Sequence, residues 1–148
     1  MLYFDTSFLV PLFLEEPTSA NIERFVRSRT EELAVSHWTR IEFSSALARE
    51  VRMGGLDRDA AAKADAQFEA LVSKSFKLLS PSAEDFELSK RYLSHYESGL
   101  RAGDALHLAI ASNHRANAIY TLDNRLSKAG RQFGLTVNSG IRLPRTSP

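Results

Sequence analysis

Residues 2–5 read Leu2-Tyr3-Phe4-Asp5: three apolar residues of strand-forming type, then a carboxylate. A run this short and this apolar reads as a buried strand. The pattern recurs in Ala118-Ile119-Tyr120-Thr121-Leu122-Asp123, and a looser version runs from Leu100 to Asp104. Glu42 stands between Ile41 and Phe43, in a fourth apolar setting. Each of these carboxylates is expected at the lip of the core, where it loses much of its hydration.

Outward from residue 5, Thr6 or Ser7 is expected to cap a short helix from Phe8 to about Leu14. Pro17-Thr18-Ser19 restarts a helix to about Ser28, and Leu33–Ser36 reads as a second strand. A helix follows from His37 to Met53, with Trp38, Ile41, Leu47 and Val51 as core candidates, stopped by Gly54-Gly55. Asp57 caps an alanine-rich helix from Arg58 to about Ser75, and Phe76–Leu79 reads as a third strand. Ser80-Pro81-Ser82 opens a helix reaching about Tyr96. After a loop from Gly99 to Gly103, a helix is expected from Asp104 to about Arg115. Ala118–Thr121 is a fourth strand, Asn124 to Phe133 a helix ended by Gly134, and Leu135–Val137 a fifth strand. Residues 1–140 therefore read as a single domain, and 141–148, with Pro144 and Pro148, as a loosely held tail.

Strands that alternate with helices predict an α/β domain with a mostly parallel sheet of five strands and helices on both faces. In such sheets ligands bind outside the carboxyl ends of the strands, near the switch in strand order. Asp5 and Asp123 follow strands and fall at that edge. Asp104 opens a helix, whose positive dipole end favours an ionised carboxylate.

Bulk properties narrow the class. A chain of 148 residues, 43% hydrophobic, has the length for one domain with a real core. It contains no cysteine, which removes disulfides, thiolate zinc sites and cysteine nucleophiles and fits a cytoplasmic location. Neither a signal peptide nor an apolar segment of membrane-spanning length is visible, so no membrane association is expected. Residues 1–98 carry twelve basic against sixteen acidic side chains, whereas 99–148 carry seven against two. The basic C-terminal third reads either as a phosphate-facing surface or as a solvated face without a partner. A glycine-rich phosphate loop is absent, which argues against nucleotide hydrolysis by that route.

Each candidate also has a plainer role. Asp5 fits the N-cap of the helix at Phe8, and Asp123 the N-cap of the next one. Glu42 fits a surface residue paired with Arg49, and Asp104 an ordinary first-turn acid. His107, one turn beyond Asp104, is the histidine expected nearest the site, although a hydrogen-bonded structural histidine is the simpler reading. Taken together, carboxylates that converge repel one another, and a divalent cation relieves them. Hard oxygen ligands select Mg²⁺ or Mn²⁺, and that chemistry cleaves phosphodiesters. Asp5 and Asp104 are expected to hold the main ion, with Glu42 and Asp123 completing a second position directly or through water. Ser7 is expected to orient Asp5 and Thr121 to add a hydroxyl, while Arg101, Arg125 and Lys128 steer a nucleic-acid backbone.

The strand-Asp-Thr-Ser start, the helical glutamate at 42, Asp104-Ala105-Leu106-His107-Leu108-Ala109 and Tyr120-Thr121-Leu122-Asp123 together resemble the PIN-domain ribonucleases. The size is similar to the VapC-type toxins of toxin–antitoxin pairs. The resemblance runs from Leu2 to about Val137 and implies a three-layer α/β/α sandwich. It implies an acidic quartet at Asp5, Glu42, Asp104 and Asp123, with a hydroxyl at Ser7, binding one or two Mg²⁺ or Mn²⁺ ions for RNA hydrolysis. It also implies a homodimer, with Trp38 and the alanine-rich helix as contact surfaces, and a small cognate antitoxin that blocks the acidic groove. Two rivals stand beside it. An aspartyl-phosphate phosphotransferase or phosphatase would want a second aspartate where Ser7 stands. A non-catalytic PIN-like binding module has no use for four clustered carboxylates.

Overall fold

The computed structural model describes residues 1–143 and Arg145; of the expected tail, residues 144 and 146–148 lie outside the described residues. Five strands form one sheet: β1 (Leu2–Phe4), β2 (Leu33–Ser36), β3 (Lys77–Leu79), β4 (Ala118–Tyr120) and β5 (Val137–Asn138). Their spatial order is β3-β2-β1-β4-β5, and every neighbouring pair is parallel. The chain moves outward from β1 to β3, then crosses to the other side of β1 to lay down β4. The switch point therefore lies between β1 and β4.

Parallel strands need crossovers, and here the crossovers cover both faces of the sheet. Side chains alternate along each strand, so Leu2 and Phe4 point into one core while Tyr3 points into the other. The first core gathers α1 (Thr6–Leu9), α2 (Ser19–Arg27), α3 (His37–Arg52) and α4 (Arg58–Ser75) through Phe8, Ile22, Phe43, Leu47 and Phe68. The second gathers α5 (Ala83–Leu93), α6 (Ala102–Asn113) and α7 (Asn124–Gln132) through Tyr92, Leu108, Ile110 and Leu126. This is a three-layer α/β/α sandwich. No helix among the described residues is long and apolar enough to cross a membrane.

Local chemistry explains the boundaries. Asp57 caps α4 as expected, and within the expected Ser80-Pro81-Ser82 opening Ser82 caps α5, each accepting a backbone N–H from three residues on. The helix after β1 is different: Asp5, not Thr6 or Ser7, is its N-cap. That helix tightens into a 3₁₀ turn over Val10–Leu12, where Pro11 sits. Helix α6 begins at Ala102, two residues earlier than expected, so Gly103 and Asp104 lie in its first turn. Ile41 is 60% exposed and is not a core residue. On α3 the buried face is Thr39, Phe43 and Leu47, spaced by four, and Ile41 lies between them on the far side.

Candidate active site

Asp5 follows β1, and its backbone N–H donates to the Tyr120 carbonyl at 3.1 Å, so the β1–β4 ladder fixes its place. The side chain is buried. Its Oδ1 accepts from Ser7 Oγ at 2.8 Å and from the Phe8 N–H at 3.3 Å. Burial pushes its pKa up to about 6, against the lowering effects of His107 and of hydrogen bonds from Ser7, Thr121 and Phe8.

Glu42 projects from α3 toward the end of β1. Thr6 Oγ1 donates to its Oε1 at 2.7 Å, and His107 Nε2 bonds the same oxygen. Its expected partner Arg49 makes no such contact among the described residues. Arg49 is on the same helix, but the donors that reach Glu42 come from α1 and α6. Burial raises the Glu42 pKa, but the His107 hydrogen bond and charge, with Thr6, outweigh it and hold the carboxyl below its ordinary value.

Asp104, in the first turn of α6, is half-buried. Its pKa is raised, first by burial and then by the charges of Asp123 and, more weakly, Glu42. Asp123 caps α7, its Oδ1 accepting from the N–H groups of Arg125 at 2.8 Å and Leu126 at 3.1 Å. Thr121 Oγ1 accepts from the Asp123 N–H at 3.0 Å and lies 3.2 Å from Ser7 Oγ. Ser7 Oγ in turn accepts from the Leu122 N–H at 3.0 Å.

One cleft gathers most of this set. Glu42, Asp104 and Asp123 line it together with Arg101, Arg125 and Trp38, the single tryptophan of the chain. Asp5 does not line this cleft: it is buried and bonded to Ser7, which lines the groove next to it. Lys128 stands apart, in a neighbouring shallow hollow on α7 with Ser127 and Arg131. A larger groove adjoins the cleft and shares Glu42 and Arg101 with it. Its floor is Val10, Phe13, Leu14 and Leu56, and its rim carries Glu15, Glu16, Arg49 and Arg52.

The donor set suits a hard divalent cation, being all carboxylate oxygen. Burial is the first cause of the raised Asp104 pKa, and the charges of Asp123 and Glu42 add a repulsion that such a cation would relieve. Among the described residues no three His, Asp or Glu side chains stand close enough to hold one ion together.

Three participants were not anticipated. Thr6 binds Glu42. Gly103 lets α6 pass close to the site: a Cβ there would lie 2.9 Å from Glu42 Oε2 and 3.2 Å from the Trp38 ring. Tyr3 is fully buried, and its hydroxyl sits 2.7 Å from His107 Nδ1 and 3.0 Å from Ser36 Oγ. The one signal in the sequence was a tyrosine inside a core strand, whose hydroxyl needs a buried partner.

Parallel strands, a switch point between β1 and β4 and carboxylates gathered there define an α/β domain with an acidic cleft at its sheet edge. The family model described as the PIN domain matches residues 2–132, and the chain belongs to that family. No curated protein matches it in sequence. Among solved structures it is similar to VapC20 of Mycobacterium tuberculosis, described as a sarcin–ricin loop cleaving toxin. The identity is 21%, the TM-score 0.69, and the match covers 88% of this chain and 95% of that one. VapBC2 from Rickettsia felis, bound to a DNA fragment from its promoter, is 15% identical with a TM-score of 0.67, covering 93% and 98%. A toxin–antitoxin complex from Klebsiella pneumoniae is 19% identical with a TM-score of 0.66, covering 97% and 100%. At these identities the likeness is one of fold.

Proposed function

We propose that this protein is a divalent-metal-dependent endoribonuclease that acts in the cytoplasm as the toxin of a toxin–antitoxin pair. The observation that carries the reading is the gathering of Glu42, Asp104 and Asp123 on one cleft, with Asp5 buried behind Ser7 of the adjoining groove. Asp5 and Asp104 would hold the main Mg²⁺ or Mn²⁺ ion, and Glu42 and Asp123 would complete a second position directly or through water. The cation supplies a lowered pKa for water and neutralises charge that builds on the phosphate. Ser7 orients Asp5, and Thr121 braces both Ser7 and the turn before Asp123. Arg101 and Arg125, on the cleft wall, attract the RNA backbone, and Lys128 extends that path along α7.

The neighbouring groove supports the partner reading. Its apolar floor and mixed charged rim suit an amphipathic segment of a small antitoxin, which would shield the cleft through the shared Glu42 and Arg101. A homodimer belongs to the same proposal. The test is incubation of the purified protein with total RNA in Mg²⁺ or Mn²⁺ and in chelator, with the fragment ends sequenced. Discrete cuts that need the cation support the reading. Intact RNA, together with no uptake of Mn²⁺, would leave the non-catalytic binding module.

A further inference from the structure

We infer that His107, braced by Tyr3, is a positioning residue for Glu42: it holds one carboxylate oxygen so that the other faces the cleft. The inference deepens the nuclease reading and rests on it.

The geometry is specific. His107 is 1% exposed and sits on α6, one turn after Asp104. A histidine kept only for packing would satisfy its nitrogens on nearby backbone carbonyls, as His114 does with the Ile110 carbonyl. His107 instead spends both nitrogens on side chains of distant elements. Nδ1 meets the Tyr3 hydroxyl from β1, and Nε2 meets Glu42 Oε1 from α3.

The direction of the chain follows from what each group can do. An ionised carboxylate only accepts, so Nε2 carries the proton. Nδ1, on the other side of the ring, is held 2.7 Å from the Tyr3 hydroxyl. Ser36 Oγ lies 3.0 Å from the Tyr3 oxygen and accepts from the Thr39 N–H that it caps. Tyr3 is fully buried and keeps its phenolic proton, its pKa pushed up chiefly by desolvation. Tyr3 thereby fixes the ring plane of His107.

The consequence lies at Glu42. Thr6 and His107 both occupy Oε1. Oε2 is the oxygen turned toward the start of α6, since it is the atom nearest a Cβ built on Gly103. Gly103 and Asp104 are on the cleft wall, so Oε2 is presented where Asp104 and Asp123 stand. Outer partners that orient a ligating side chain are worth about 10- to 100-fold in metal affinity.

The experiment is a Mn²⁺ titration of the full chain by calorimetry, with thermal unfolding recorded for each variant. His107→Leu should weaken Mn²⁺ binding about tenfold or more. His107→Gln, whose amide can still donate to Glu42, should recover most of that loss, and Tyr3→Phe should fall between. In a Glu42→Gln background, His107→Leu should change little further, because its effect acts through Glu42. A folded His107→Leu protein that binds Mn²⁺ like wild type would overturn the inference. Equal losses for Leu and Gln would also overturn it, since a packing role predicts them. Wild-type protein that takes up no Mn²⁺ would overturn the metal-nuclease reading itself, a result distinct from binding that is indifferent to His107.

Discussion

Ser7 Oγ donates to Asp5 Oδ1 at 2.8 Å while accepting from the Leu122 N–H at 3.0 Å. One hydroxyl therefore ties the end of β1 to the segment after β4, at the switch point. It also relieves part of the cost of burying Asp5. Ser7→Ala should destabilise the fold by about 1–3 kcal/mol, because it leaves a sheltered backbone donor unpaired. It should also raise the Asp5 pKa further. Urea unfolding checks the first effect, and carboxyl titration by NMR checks the second.

Burial sets a pH dependence with a definite sign. Asp5 is held up to about 6, above its unfolded value of 3.8, so the folded state favours its protonated form. The stabilisation from that proton is complete below the unfolded value and is lost as pH rises through about 6. Asp104, raised in the same direction, adds the same sign. Glu42, held low, has the opposite sign: its stabilisation is full above its unfolded value of 4.5 and is lost as pH falls through its depressed folded value. In chelator, Asp5→Asn should gain on wild type by about 1–2 kcal/mol between pH 5 and 7.5. Denaturant unfolding of both proteins measures the gap, which added Mn²⁺ should narrow by stabilising the wild type.

Gly103 is required by contact, not by backbone strain. A methyl group there would press within 2.9 Å of Glu42 Oε2 and 3.2 Å of Trp38. Alanine is a better helix former than glycine by about 1 kcal/mol, which offsets part of the clash. Gly103→Ala should therefore leave the melting temperature within a few degrees of wild type while cutting nuclease activity at least tenfold. The emission of Trp38, the only tryptophan, should shift as its neighbour moves.

Arg125 stands on the cleft wall and Lys128 one turn away. Removing a side chain that neutralises a phosphate lowers the salt dependence of binding by about one unit in slope. Arg125→Ala should show this with a single-stranded RNA under conditions that block cleavage, and Lys128→Ala should show it more weakly. Binding titrations across a range of KCl concentrations report the slopes.

The sheet was legible because it leaves local marks. Apolar runs such as Leu2–Phe4 and Ala118–Tyr120 form buried parallel strands, and parallel strands deliver the residues at their carboxyl ends to one edge. Caps such as Asp57 and Ser82 are equally local. The features that stayed hidden depend on contacts made only in three dimensions. The start of α6 carries no side-chain cap at Arg101, so nothing in the sequence marked a beginning at Ala102. Ile41 looked like core until the phase of α3 was fixed by Thr39, Phe43 and Leu47. Glu42 meets Thr6 and His107, which lie 36 and 65 positions away, so a helical partner such as Arg49 was the natural but incorrect choice.

The central claim is that the four carboxylates form one metal-dependent nuclease site. Its most direct measurement is the initial rate of RNA cleavage in Mg²⁺ or Mn²⁺ by wild type, Asp5→Asn and Asp104→Asn, each shown to be folded. The account predicts cation-dependent cutting by wild type and a loss of at least a hundredfold in both variants. Cutting that persists at the wild-type rate in either folded variant, or in excess chelator, would contradict it.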